Sequence, residues 1–331
     1  MYGRTFRLVS GVLAAISIVA LVGLDSGAPD RAGATATTST TAPSTTTSTT
    51  APTTTTTSTT TTSTTEPPTT TTTPPIPTTT TTTTPTSTTS APPGTGPPGI
   101  DSAAAYAASR DGTVEISFAD LSSGAIADAD ADQPQIATAS IVKVAIAVAA
   151  LQDAERAGTP LSDDDQATLE QMIEVSDNDA ASQLWDEVGG SDRLAQLFSD
   201  AGMVATTAGT GELWGMTMTT AHDQALLLVA LAGGKLLDAD DTAYLLATMR
   251  AVTPSQRWGI AAGIADGGDA AVKNGWYLDD DGHWRVNCLA VLGGPSYPTP
   301  VAIAVLTRYD ASLGMAYGED TCAGVAQALL G

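Results

Sequence analysis

From about Thr113 onward, apolar residues recur in two rhythms, one with helical spacing and one with strand spacing, and their mixture predicts an α+β fold. The run Val144-Ala-Ile-Ala-Val-Ala-Ala-Leu151 is apolar on every face, which predicts a helix buried all round. Leu161–Met172 reads as one capped helix whose start is the acidic run Asp163-Asp164-Asp165. Along Met172–Trp185 the apolar positions stop at Val175 and resume at Ala180, so a break between two helices falls at Ser176-Asp177-Asn178. Gly189-Gly190 leads into an amphipathic helix over Asp192–Phe198, and Met218–Leu228 reads as a Thr-capped helix start. Val272–Leu278, Trp284–Leu292 and Pro300–Thr307 read as three successive strands with turn residues between them. Thr113–Ala119 is an earlier strand expected to join the same antiparallel sheet, and a last helix covers about Glu319 to Leu329.

The N-terminal part shows neither rhythm. Arg4 and Arg7 precede the apolar run Leu8–Leu24, which is long for a signal peptide and short for a membrane span. A cleaved signal, with Ala32-Gly33-Ala34 or Ala34-Thr35-Ala36 as the cut site, and an uncleaved anchor both fit. Either exports the C-terminal part of the chain and leaves the arginines inside. No cysteine lies just beyond the run, so lipidation there is not expected. Residues 35–98 are almost wholly Thr, Ser and Pro, a composition that cannot form a core and predicts a disordered or extended spacer. At ~3.1 Å per residue when extended it would reach on the order of 200 Å, enough to cross a thick wall, and O-glycosylation would stiffen it. The chain therefore divides into 1–34, a signal or anchor, 35–98, a linker, and 99–331, long enough for one large domain.

Charge narrows the partners. A formal charge of −23 argues against nucleic acid or anionic membrane as partners, leaving membrane contact to the N-terminal segment alone, and a monomer is expected. No metal and no cofactor are expected. Asp279-Asp280-Asp281 looks like a hairpin tip, and His222 and His283 are too few and too far apart for zinc, with His222 read as a first-turn helix residue.

The candidate chemistry lies in three short strings. In Ser140-Ile-Val-Lys143 a hydroxyl and an amine sit three apart on one helix face, so that Lys143 would reach the Ser140 oxygen from the next turn. A serine is a poor nucleophile until a base takes its proton, and a lysine serves as that base only if burial or a second cation lowers its pKa. Lys273, in Lys273-Asn274-Gly275, is a candidate for that cation, and the third string is Ser176-Asp177-Asn178. Each string alone has a plain structural reading: a Ser cap with a snorkelling lysine for the first, a cap and two turn residues for the second.

Taken in order, the three strings resemble those of class A β-lactamases and penicillin-binding serine hydrolases. The resemblance runs from about Thr113 to the C-terminus. It implies an antiparallel sheet flanked by helices, an inserted all-helical lobe, and an active site between them. It also implies an acyl-enzyme on Ser140 with Lys143 as base or proton acceptor, Ser176 relaying a proton to the leaving nitrogen, and Lys273 supplying positive charge near the Ser176 hydroxyl and the substrate carboxylate. Asn178, Asn274, Gly275 and Trp276 would bind substrate, with the backbone N–H groups of Ser140 and Trp276 as the oxyanion hole. The function so implied is an exported serine hydrolase acting on β-lactams or related cell-wall amides. The alternatives are a wall D,D-carboxypeptidase or peptide hydrolase, and a penicillin-binding receptor or wall-binding module with little turnover. Cys288 and Cys322 are expected to be bridged, since in this family the last helix packs across the strand that carries Cys288; two buried thiols are the alternative.

Three departures from the family pattern bear on activity. Asn274 replaces the hydroxyl residue that would hold a substrate carboxylate. Between Gly202 and Thr217 the only carboxylate is Glu212, in neither the loop length nor the setting of the family's deacylating base, so its reading is divided between base and exposed turn residue. The stretch from Lys143 to Ser176 is short, which removes a wall of the cleft and is expected to open it to bulkier substrates. Among the tryptophans, Trp276 alone is expected to line the cleft, with Trp185 and Trp258 in the core.

Overall fold

The computed structural model describes residues 99–331 apart from Asp266. The expectations for residues 1–34 and 35–98 lie outside those residues. In chain order the described elements begin with α1 (Ile100–Ala108), β1 (Thr113–Asp120), β2 (Ala125–Asp128) and β3 (Ile136–Ala137). A 3₁₀ turn over Ala139–Val142 then runs into α2 (Lys143–Ala157), followed by α3 (Asp163–Glu174), α4 (Asn178–Val188) and α5 (Gly190–Ala201). After β4 (Met218–Thr219) come α6 (Ala221–Ala232), α7 (Ala239–Arg250) and the short α8 (Ile260–Gly263). The chain closes with β5 (Ala271–Leu278), β6 (His283–Leu292), β7 (Val301–Asp310) and α9 (Met315–Leu330).

Five strands pair antiparallel in the order β2-β1-β7-β6-β5, with β3 and β4 forming a separate two-stranded ribbon. All four strands expected from the sequence are present, and β5 is an edge strand. The earliest and latest segments of the domain are brought together at the sheet's centre, where β1 pairs with β7 from Thr113 opposite Arg308 to Asp120 opposite Val301. Helices α1 and α9 pack on each other, and α9 also packs on β6; α6 packs against β1 and β7.

The helical lobe follows from capping. Ser162 accepts the N–H of Asp165 to start α3, Asp177 accepts the N–H of Ala180 to start α4, and Thr220 accepts that of Asp223 to start α6. Asp177 is thus the cap, which leaves its neighbours Ser176 and Asn178 for other work. Helix α2 packs against α4, α5 and α3, and every residue from Lys143 to Leu151 is buried. Its four large aliphatics there, Val144, Ile146, Val148 and Leu151, contribute about 1.5–3 kcal/mol each by burial. That total exceeds the several kcal/mol that burying one ammonium costs, which is how a lysine is tolerated at the helix start. Cys288 of β6 and Cys322 of α9 form a disulfide, as expected. Asp279–Asp281 form the β5–β6 hairpin tip, with Asp279 Oδ1 accepting the His283 N–H at 2.7 Å. Among the described residues no helix is long and apolar enough to cross a membrane.

Candidate active site

The 3₁₀ turn carrying Ser140, the α3–α4 break and strand β5 meet at one cleft. Lys143 Nζ donates to Ser176 O at 2.7 Å, to Ser176 Oγ at 3.2 Å and to Asn178 Oδ1 at 2.8 Å. Lys273 Nζ donates to the same Ser176 Oγ at 2.8 Å and to Asn274 O at 3.0 Å. Two lysines therefore share one hydroxyl, and both are buried, at 0% and 1% exposed. Burial pulls the Lys143 pKa down to about 8, with Asp177 acting against the shift. Burial and then the charge of Lys143 drive Lys273 well below the usual lysine range.

Backbone strain marks the same place. The only described non-glycine residues with positive φ are Ala139, at 50°, immediately before Ser140, and Ser176, at 59°. Left-handed geometry costs an L-residue roughly 1–2 kcal/mol, and it persists where the surroundings impose it. At Ser176 it turns both the carbonyl and the hydroxyl onto one ammonium. At Gly275 the reverse holds, because the residue is needed for its missing side chain: a Cβ there would lie 2.6 Å from Ser140 N, 2.8 Å from Ile141 N and 3.0 Å from Thr138 O. Asn287 of β6 completes the support by donating to Ala137 O at 2.9 Å and Thr138 O at 3.0 Å.

The cleft has a volume of about 330 Å³ and is lined by Ser140, Asn178, Ser182, Glu212, Trp214 and Trp276, among others. Its outer wall is the segment between α5 and β4. That segment is pinned at its ends by a bridge between Thr207 and Met218 and by Gly209 N–H donating to Thr217 Oγ1 at 3.0 Å. It is pinned in the middle by two indoles, Trp185 Nε1 donating to Gly211 O at 3.0 Å and Trp214 Nε1 to Ser182 Oγ at 3.1 Å. The Trp214 ring stands over Lys143, its centroid 4.8 Å from Nζ. Glu212 lies at the exposed tip of this wall, and no hydrogen bond or ion pair holds its carboxylate among the described residues.

Four expectations need correction. Lys143 does not bond the Ser140 oxygen: its three N–H donors go to Ser176 and Asn178, because a buried ammonium needs three acceptors and the strained Ser176 backbone supplies one that a lone hydroxyl cannot replace. Asn274 does not line the cleft: its amide is buried and donates to Gln256 O at 2.9 Å and Trp258 O at 3.1 Å, tying β5 to the loop before α8. Trp276 does line the cleft, but so do Trp214 and Tyr277. Trp258 is half-buried rather than core and packs edge-on against Trp276 at 5.6 Å, while Trp185 is in the core at 2% exposed. Ser182 was also missed, though its position four residues after Asn178 on α4 places the two on one helix face.

This geometry has counterparts. The fold superposes on the extended-spectrum β-lactamase TLA-3 with a TM-score of 0.60 at 16% identity, covering 70% of this chain and 98% of that one. A class A β-lactamase from Mycobacterium abscessus gives 0.58 at 19% identity, and PBP-A gives 0.56 at 22%, each covering 70% of this chain and 98% of its own. Identities this low establish a shared fold. In sequence the chain is 26% identical over 204 residues to the "Putative lipoprotein LppW" of Mycobacterium tuberculosis and to that of Mycobacterium bovis. The alignment spans 60% of this chain and 64%, less than two thirds, of the length of these curated relatives. A family model described as "Beta-lactamase enzyme family" matches residues 164–330, half of the chain, a stretch that contains Ser176 and Lys273 and begins after Lys143. With an antiparallel sheet of that fold, a helical lobe beside it and two buried lysines sharing the Ser176 hydroxyl at their junction, the chain belongs to the β-lactamase enzyme family.

Proposed function

We propose that this chain is an exported serine hydrolase that forms an acyl-enzyme on Ser140 with β-lactams or related cell-wall amides. The observation that carries the proposal is the convergence on Ser176 Oγ of Lys143 Nζ at 3.2 Å and Lys273 Nζ at 2.8 Å, with Lys143 also bonded to Asn178, which lines one cleft with Ser140. In the reaction so read, Ser140 Oγ attacks the amide carbonyl and its proton passes to Lys143 as the neutral amine, which burial makes accessible near pH 8. To do so Lys143 exchanges one of its resting acceptors for Ser140 Oγ, as catalytic hydrogen bonds tighten when substrate binds. The proton returns through Ser176 to the leaving nitrogen as the C–N bond breaks. The carbonyl oxygen would be held by the N–H groups of Ser140 and Trp276, which the close approach of Gly275 to Ser140 N supports.

Two observations favour slow turnover within this reading. Trp214 covers Lys143 from the cleft side, and Glu212 is exposed with nothing holding it in place to activate water. Losing a general base typically lowers a rate by ~10²–10⁴, so the acyl-enzyme would outlast that of an efficient β-lactamase and the protein would behave as a penicillin-binding protein or a slow D,D-peptidase. Export is supported by the Arg-flanked apolar run Leu8–Leu24 and by the naming of the mycobacterial relatives as lipoproteins. Both cysteines of this chain are in the disulfide, so a tether here would be the apolar segment itself, with residues 35–98 as spacer into the wall.

The test is intact mass of the purified protein and of Ser140→Ala mixed with a penicillin and followed in time. A Ser140-dependent adduct supports the proposal, its persistence separating a penicillin-binding protein from a true β-lactamase. An adduct retained in Ser140→Ala, or none in the wild type alongside intact penicillin, would overturn it.

A further inference from the structure

Of the described residues that line the cleft, Glu212 is the only one that carries a charge. Lys143, with three hydrogen bonds, and Lys273, with two, are buried and do not line the cleft, so neither ammonium is presented to an incoming carboxylate. Arg285, whose guanidinium lies against the ring of the cleft residue Tyr277, is paired with Asp279. The Asn274 amide, which stands where a carboxylate-binding hydroxyl was expected, is spent on Gln256 O and Trp258 O. Trp214, Trp276 and Tyr277 line the same cleft as Glu212, and aromatic ring faces attract cations and repel anions. The whole chain, at −23, adds to the same sign.

From this electrostatic arrangement we infer that Glu212 selects substrates bearing an ammonium group beside the reacting carbonyl, and that it acts as a specificity residue in place of a deacylating base. The inference rests on acylation of Ser140 as proposed above. The substrate class is then an amide whose acyl side carries a free amine, as in a peptide containing a diamino acid, with the amine between the Glu212 carboxylate and the aromatic walls.

Three penicillins that differ only at the benzylic carbon test this: the α-amino, unsubstituted and α-carboxy compounds. The second-order rate of Ser140 acylation is expected to fall in that order, by roughly three- to tenfold from ammonium to carboxylate, the size an exposed charge contributes, with the spread shrinking at high salt. In Glu212→Gln the order should collapse while the lifetime of the adduct stays the same. Equal rates for the three in the wild type would overturn the inference and leave the acyl-enzyme standing. A longer-lived adduct in Glu212→Gln with the order intact would instead make Glu212 a base. Should none of the three acylate Ser140, the tryptophan fluorescence of Ser140→Ala, titrated with phenylglycinamide, decides independently. Saturable binding weakened severalfold by adding Glu212→Gln supports the cation site, and binding indifferent to Glu212 removes it.

Discussion

Gly275 presses its backbone against the amide of Ser140, so closely that a Cβ on Gly275 would lie 2.6 Å from Ser140 N. All three of the nearest atoms are backbone, which has no rotamer to yield, so any side chain here separates strand β5 from the turn that carries Ser140. Gly275→Ala is expected to slow acylation by about 10²-fold, the scale of a 1 Å misplacement, and to cost about 1–3 kcal/mol of stability. Penicillin adduct formation and a urea melt of the same sample check both. An alanine variant that acylates at the wild-type rate would show that the contact does not set the geometry.

Lys143 gives the reaction a pH signature. Its pKa is lowered to about 8, first by burial, so the neutral amine needed as base gains population as pH rises through that value. Acylation rates should climb from pH 6 to about 9 with a limb near pH 8, and Lys143→Ala should lose ~10²–10⁴ on the alkaline side and show no such limb. A flat profile in the wild type would take the base role away from Lys143.

Trp214 is expected to govern how long the adduct survives. Its ring covers the Lys143 ammonium and its Nε1 is tied to Ser182, so Trp214→Ala opens that side of the cleft to water. The acyl-enzyme half-life should shorten by about tenfold or more, while Trp214→Phe, which keeps a ring but loses the Ser182 bond, should fall between. Time-resolved mass spectrometry after removing free penicillin reads the lifetimes; no change in Trp214→Ala would place the barrier to deacylation elsewhere.

Far from the cleft, Glu115 sets a pH dependence of stability. It is buried on β1, where Oε2 accepts the N–H of Ala221 at the start of α6 and Oε1 has no partner. Burial raises its pKa to about 8 from 4.5, with Asp130 adding to the shift and the Ala221 bond opposing it. The folded chain therefore holds this proton up to about pH 8, whereas the unfolded chain releases it near 4.5. The stabilisation is complete below pH 4.5 and is lost as pH rises through 8, with a slope of at most about 1.4 kcal/mol per pH unit. Glu115→Gln keeps the hydrogen bond without the titration, so its urea midpoint should vary less between pH 6 and 8 than that of the wild type.

The helices and strands were legible because their signals are local. Strand-favouring runs bounded by turn residues, Val272–Leu278 and Trp284–Leu292, marked β5 and β6 to within one residue, and the all-apolar Val144–Leu151 marked the buried α2. Elements with weak periodicity escaped: α1, an alanine-rich helix, α7, and the four-residue strand β2, which is defined by its pairing with β1 rather than by its own pattern. Two cysteines in one domain left a single possible intrachain pairing, so the Cys288–Cys322 bridge needed only the choice between oxidised and reduced.

The chain by itself determined which groups are available and in what order: a serine and a lysine at the start of a buried helix, a capped break with Ser176 and Asn178 on either side of Asp177, and a glycine beyond the second lysine. Only the tertiary structure decided whom they meet. Lys143 and Lys273 find the same hydroxyl across 33 and 97 residues of sequence, Asn274 turns to the loop at Gln256 and Trp258, and Trp214 comes to rest on Lys143. The difference is physical. Period and capping are written in neighbours a few residues apart, whereas a buried ammonium takes whichever acceptors the packed core brings within reach, and that depends on every element at once.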